Sequence, residues 1–338
     1  MTIQFVPMQV IPFGAAPSEE ERALRTIELC GRTAYKSEDK ITDDSARAFV
    51  LMLKGQEHLS VLEHSNIVLS IRGSELATAV PWVRSTVDFL SGLLIAFKDR
   101  HAYHRFFTDS ATPVAEFAIS GNVRAWLETL HALHAVSPEY ARFFSFHLSR
   151  FFPSLFDEPA SKPAYLPYEV RLMGEDEQVA LLKKDPASDL PVFLFKFICD
   201  RGITHEVVRH RVFSFTQEST RYVNYRNKGM TLILPEELEP FFDRGRETLQ
   251  VSDAIARTWL TRAEQVFQWY EDDVRRGLKP QIARDILPNL LKSELFVTGR
   301  WSGWKHFITL RESSGAHPRI RWIAREVRQY FESMGLVA

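Results

Sequence analysis

The spacing of apolar and polar positions divides the chain into helical stretches, short strands and one long segment of different texture. Residues 18 to 34 and 43 to 57 read as amphipathic helices. Ser18 precedes the acidic run Glu19 to Glu21, and Ala46, Phe49, Val50 and Leu53 recur at helical spacing. Asn66 to Arg72, NIVLSIR, is β-branched, apolar and closed by Gly73, which predicts a strand. From about 73 to 187 clusters of His, Phe and Tyr dominate, with Asn122 opening a helix at VRAWLETLHAL and prolines between 153 and 167. Phe143, Phe144, Phe146, Leu148, Phe151 and Phe152 predict that this insertion packs as helices against the body. Beyond it come an apolar helix at 190 to 201, a basic segment at 205 to 226 and a short strand at Thr231 to Leu234. A long helix at 252 to 277 and helical stretches at 300 to 312 and 318 to 335 follow. The expected architecture is α+β: a small sheet flanked by helices, in one domain whose core is residues 1–72 and 188–338, with a helical insertion at about 73–187.

Composition narrows the classes. With 338 residues, 45% hydrophobic, the chain can bury a sizeable core. Its 42 basic and 43 acidic side chains nearly cancel, so it lacks the field that draws a protein to nucleic acid or membrane. Cys30 and Cys199 lie far apart in apolar surroundings, which gives neither a disulfide framework nor a thiol pair for zinc and fits a reducing cytoplasm. The N-terminal MTIQFVPMQVIPFG has no basic flank, and the longest apolar stretches, near 89 to 97 and 190 to 198, are too short to span a bilayer. A soluble, cytoplasmic protein with no nucleic-acid or membrane partner is expected.

No Gly-rich phosphate loop or dinucleotide fingerprint occurs, so a nucleotide or flavin would have to be held by side chains. His205 and His210 are five residues apart, about 140° off a shared helical face, which argues against a zinc-protease helix and leaves no metal site. The segment Arg209 to Arg226, RHRVFSFTQESTRYVNYR, is dense in donors. Arginine forks bind phosphate, hydroxyls and amides read sugar and base edges, and Phe213, Phe215 and Tyr222 offer apolar walls. A solvated basic face paired with acidic residues is the alternative, and residue types alone leave both open.

The spacing Arg-His-Arg, seven residues, Ser, one residue, Arg-Tyr resembles the defining motif of the flavin-dependent thymidylate synthases. Upstream, GQEHLSVLEHSNIVLSI at 55 to 71 is similar to that family's Gly-His-Glu-Ser-x-x-Glu-His element. Downstream, ARDILPNLLKSELFVTG at 283 to 299, WKHFITLR at 304 to 311 and AHP at 316 to 318 follow its C-terminal pattern. The resemblance implies that Arg209, His210 and Arg211 contact the flavin, and that His64 and His306 line the flavin and folate pocket. It sets Gln217, Ser219, Arg221, Arg284 and Arg311 around the nucleotide. Three positions depart from the pattern. Arg300 stands where the family has Asn, Ser302 where it has Arg, and Glu206 where compact members place a Gln near the phosphate. A carboxylate there repels phosphate unless it is turned away or paired with an arginine.

The resemblance further implies C5-methylation of dUMP to dTMP, with methylenetetrahydrofolate supplying the carbon, NADPH reducing FAD and the reduced flavin delivering a hydride. Arg311 would stabilise charge on the uracil carbonyl and Ser219 would position the nucleotide, which makes these two the expected catalytic pair. Neither cysteine suits a thiolate nucleophile: Cys30 falls in a helical pattern and Cys199 on the apolar helix expected at 190 to 201. Family members form homotetramers with active sites at subunit junctions, and the same is expected here. The rival readings are a UMP methylase of a nucleoside-antibiotic pathway, a nucleotide-binding protein without catalysis, and a nucleic-acid-binding regulator.

Overall fold

The protein is described by a computed structural model for residues 3–73, 105–109, 116–136, 138–163, 168–246, 248–250 and 253–336. Its elements run β1 (Gln4–Val6), β2 (Gln9–Ala15), α1 (Glu20–Tyr35), α2 (Ser45–Gly55) and β3 (Asn66–Gly73). The insertion adds β4 (Arg105–Asp109), β5 (Glu116–Asn122), α3 (Val123–Val136), α4 (Pro138–Phe151), β6 (Tyr168–Leu172) and α5 (Glu175–Lys184). The chain continues with β7 (Val192–Asp200), α6 (Arg201–Val207), β8 (Ser214–Gln217), β9 (Thr231–Ile233), β10 (Phe242–Asp243), β11 (Thr248–Leu249) and α7 (Ala254–Arg275). It closes with β12 (Lys292–Arg300), α8 (Trp301–Arg311) and α9 (Pro318–Ser333). Helices and strands together make an α+β protein.

Two four-stranded antiparallel sheets organise it. The first has the order β2-β7-β12-β8, and its centre is the nine-residue register from Lys292↔Asp200 to Arg300↔Val192. β2 is an edge, so it tolerates Pro12 and a register shift at Gly14, whose φ of 86° suits a residue without Cβ. One face of this sheet presents Phe193, Phe195, Phe197, Leu295 and Val297 to α6, α8 and α9. The other contributes Leu194 and Phe296 to a core shared with α1, α2, α3 and α4.

Residues 190 to 201 correct the sequence reading. They form a strand, because VFLFKFICD is buried on both faces and a short apolar run carries no period that tells strand from helix. Cys199 therefore sits on β7, with its side chain in the aromatic core. The insertion is also not purely helical. β4, β5 and β6 join β3 in the second sheet, order β4-β5-β3-β6. The helix at Asn122 is present as expected: Asn122 Oδ1 accepts from the Ala125 N–H at 2.8 Å. Among the described residues no helix is long and apolar enough to cross a membrane.

Candidate functional site

Local sequence sets the geometry of the basic segment. Asp200 ends β7 and caps α6, its Oδ1 accepting from the Ile203 N–H at 2.9 Å, and Arg319 holds its other oxygen at 2.7 Å. After α6 the chain turns tightly, with the Phe213 N–H bonded to the His210 carbonyl, and enters the edge strand β8. Phe213 packs its ring edge against Gly299 of β12, where a Cβ would stand 2.2 Å from the ring. Glu218, the next residue after β8, is buried and bonded to Lys292 Nζ at 3.1 Å and by the Tyr225 hydroxyl at 3.1 Å. Burial would lower the Lys292 pKa, but the carboxylates of Glu218 and Glu294 raise it, so the ammonium stays charged.

A cleft of about 920 Å³ opens where β8, the end of α1, the turn at Leu59–His64 and α3 meet. Gln217 and Ser219 line one wall. His58, Ser60 and Val61, from the segment resembling the upstream family element, line the other. The Ser219 N–H is fixed by the Ala34 carbonyl at 2.9 Å, and Gln217 Nε2 donates to Thr204 and Ser293 hydroxyls at 2.8 and 2.9 Å. Tyr35 and Tyr222 face each other with ring centroids 5.2 Å apart, and the Tyr35 hydroxyl meets His58 Nδ1 at 3.3 Å. Arg221 lies over the Tyr222 ring at the rim, and Arg284 donates to the Thr220 hydroxyl at 3.2 Å. Arg209, Arg211, Arg221 and Arg284 are all exposed and have no carboxylate partner among the described residues. None of these four lines the cleft: Arg221 lies over Tyr222, which does, and Arg211 lines a separate cavity of about 60 Å³. The aromatic-walled cleft suits a partly aromatic ligand of drug-like size, and exposed guanidiniums suit an anion.

The remaining sequence-picked residues fall in two other places. Arg311 donates Nε to His210 Nε2 at 2.8 Å, Nη1 to Glu206 Oε2 at 3.2 Å and Nη2 to the Glu206 carbonyl at 3.0 Å. Glu206 is thus paired with an arginine, the condition under which its carboxylate can lie near a phosphate site. His210 is wedged between Phe213 and Phe307, with His306 beside it at 6.3 Å. Burial, then the Arg311 charge, then His306 push its pKa down to about 4, so it accepts from Arg311 as a neutral ring. None of Glu206, His210, His306 and Arg311 lines the cleft. His64 is fully buried between strands: Nδ1 meets the Thr298 hydroxyl at 2.6 Å and Nε2 the Thr216 hydroxyl at 2.8 Å. Burial lowers its pKa to about 3, and both ring nitrogens are engaged inside the chain.

Sequence reasoning missed Tyr35, Lys54, Arg124 and Leu127 as cleft residues. Tyr35 ends α1 and carries no local signal. Arg124 and Leu127 belong to the insertion. Arg300 and Ser302 also acquire partners. Arg300 is buried, with Nη1 donating to the carbonyls of Asp189 and Leu190 at 2.8 Å each and to Ser120 Oγ at 3.1 Å. Ser302 binds the Asp189 carboxylate through its N–H at 3.1 Å and its hydroxyl at 2.6 Å. Both thiols are buried, and desolvation raises each above the ordinary thiol range.

Residues 186–334 match the family described as Thymidylate synthase complementing protein. A protein of Corynebacterium aurimucosum named flavin-dependent thymidylate synthase is 32% identical over 177 residues, covering 50% of this chain and 67% of that protein. Proteins of the same name from Mycobacterium tuberculosis and Pyrococcus abyssi are 35% identical over 130 residues and 33% identical over 131. Those two matches cover 37% and 38% of this chain, and about half the length of each relative, 51% and 48%.

Proposed function

We propose, on the premise that the chain belongs to the flavin-dependent thymidylate synthase family, that it methylates C5 of a uracil nucleotide, converting dUMP to dTMP. FAD, reduced by NADPH, would supply the hydride that completes a methyl group whose carbon comes from methylenetetrahydrofolate. The observation that carries this reading is the cleft itself: Gln217 and Ser219 of the arginine motif and His58 and Ser60 of the upstream segment line one cavity.

The chain's own residues then have distinct tasks. Ser219, held by Ala34, fixes the nucleotide, and Arg221 and Arg284 take its phosphate. Arg209 and Arg211 offer cations to the flavin, and the neutral His210 ring is a packed surface beside them. Arg311, oriented by Glu206 and His210, polarises the uracil carbonyl. Arg311 and His306 lie apart from the cleft of their own chain. This supports a homotetramer in which one subunit's Arg311 group completes another subunit's cleft. His64 acts through Thr216 and Thr298, positioning the strands that carry the motif. The core and insertion form one catalytic unit of the family's fold, working in the cytoplasm. The feature that kept the UMP reading open, Arg300 and Ser302, is accounted for by bonds to Ser120 and Asp189.

Uptake of FAD tests the reading. Purified protein should be yellow and bind FAD, and Arg209→Ala should weaken binding roughly tenfold or more, the value of one charge-assisted contact. A colourless protein that takes up no FAD at saturation would sink it.

A further inference from the structure

Arg124 and Leu127 of the insertion both line the cleft, and Arg124 also ties the insertion to the arginine loop. Helix α3 begins where β5 ends, and the core holds this junction: Arg300 Nη2 donates to the Ser120 carbonyl at 3.2 Å, in addition to the Nη1 bonds to Ser120 Oγ and Leu190. Arg124, the second residue of α3, reaches back from there. Its Nη1 donates to Glu63 Oε1 at 2.7 Å, while Nε binds Glu128 Oε1 at 2.8 Å one turn along the helix. The other oxygen of Glu63 accepts from Ser214 Oγ at 2.6 Å. Ser214 opens β8, three residues after Arg211. One carboxylate therefore joins three stretches distant in sequence: the insertion, the segment 55 to 64 and the arginine loop.

The contacts are short, charge-assisted and shielded. The Glu63 side chain is 15% exposed, so each bond to its carboxylate counts for more than a surface pair would. A small cavity of about 60 Å³ lies against the bridge, lined by Glu63, Ser214, Arg211 and Arg300, while Arg124 lines the main cleft on the other side. We propose that Arg124 is a positioning residue: through Glu63 and Ser214 the insertion sets the attitude of the loop bearing Arg209 and Arg211 toward the ligand. The role of the loop as a flavin contact rests on the function proposed above; the mechanical coupling does not.

Hydrogen exchange on the ligand-free protein separates the two. Arg124→Ala should speed exchange at the His210 and Phe213 amides roughly tenfold, because Glu63 loses its charged partner and the turn bonds to Val207 and His210 open more often. Arg142→Ala, which cuts a pair with Glu139 on the exposed face of α4, should leave those amides unchanged. In the FAD titration Arg124→Ala should raise Kd about tenfold at full saturable stoichiometry, with Arg124→Lys recovering part and Glu128→Gln close to wild type. Adding Glu63→Gln to Arg124→Ala should cost less than the two separate losses combined. Should Arg124→Ala fail to fold, Ser214→Ala cuts the same bridge at its far end and must show the same fast exchange. Wild-type exchange in whichever of these variants folds overturns the proposal. Failure of the wild type to bind FAD overturns the function instead and leaves the exchange result to decide the coupling.

Discussion

His64 shows what a single residue decides here. A histidine with both nitrogens bonded to threonine hydroxyls and no solvent around it must stay neutral, and its pKa of about 3 against an ordinary 6.5 says so. The unfolded chain binds more protons there between pH 6.5 and 3. Stability is therefore fully present above about pH 6.5 and falls as pH drops through that window. His210, at about 4, adds to the loss between 6.5 and 4. Urea midpoints should fall steadily from pH 7 to pH 4.5, and His64→Gln should flatten the slope; an unchanged slope would contradict the buried neutral ring. Thr216→Val, which leaves one ring nitrogen without a partner, should cost about 1–3 kcal/mol in the same assay. The motif around His64 implies a place in the flavin and folate pocket, whereas its engagement with Thr216 and Thr298 needed residues more than 150 positions away. Glu206 was legible as a conflict, and its pairing with Arg311 resolves it.

At the scale of elements, helices were the readable part of the chain. α1, α2, α7, α8 and α9 each bury one stripe, and the 3.6-residue period of their apolar positions survives in sequence. β7 was not readable as a strand. Its residues 193, 195 and 197 meet α8 and α9 while 194 meets the α1 side, so every position is apolar or shielded and the two-residue alternation vanishes. The second sheet was hidden for another reason: β5 and β6 exist by pairing with β3, a contact set by the fold and not by local pattern. Phe195 lies at the centre of the aromatic cluster of Phe197, Trp304, Tyr330 and Phe331. Phe195→Ala should cost about 3–5 kcal/mol in denaturant unfolding. Gly299→Ala should also destabilise, because the Phe213 ring occupies the space of its Cβ. If it unfolds at the wild-type midpoint, the packing of Phe213 on β12 is wrong.

Across the whole molecule, Gln217 and Ser219 of the sequence-picked site residues line the cleft, Glu206, His210, His306 and Arg311 form a second group, His64 is buried, and Arg209, Arg211, Arg221 and Arg284 are exposed outside the cleft. The cleft members Gln217 and Ser219 were found from the motif; Arg124 and Leu127 were not, because they come from the insertion. If the two surface groups meet between subunits, mixing inactive Ser219→Ala with inactive Arg311→Ala protein under subunit exchange should restore turnover. Mixtures as inactive as their components would confine each site to one chain. Cys30→Ala with Cys199→Ala should fold at a cost of order 1 kcal/mol each and retain methyl transfer, since neither buried thiol reaches the cleft. The most direct test of the proposed activity is the product. Protein supplied with FAD, NADPH, methylenetetrahydrofolate and dUMP should yield dTMP by mass spectrometry, with UMP and deoxyuridine far poorer substrates. Bound, reducible FAD without any dTMP at saturating dUMP and folate would contradict the account.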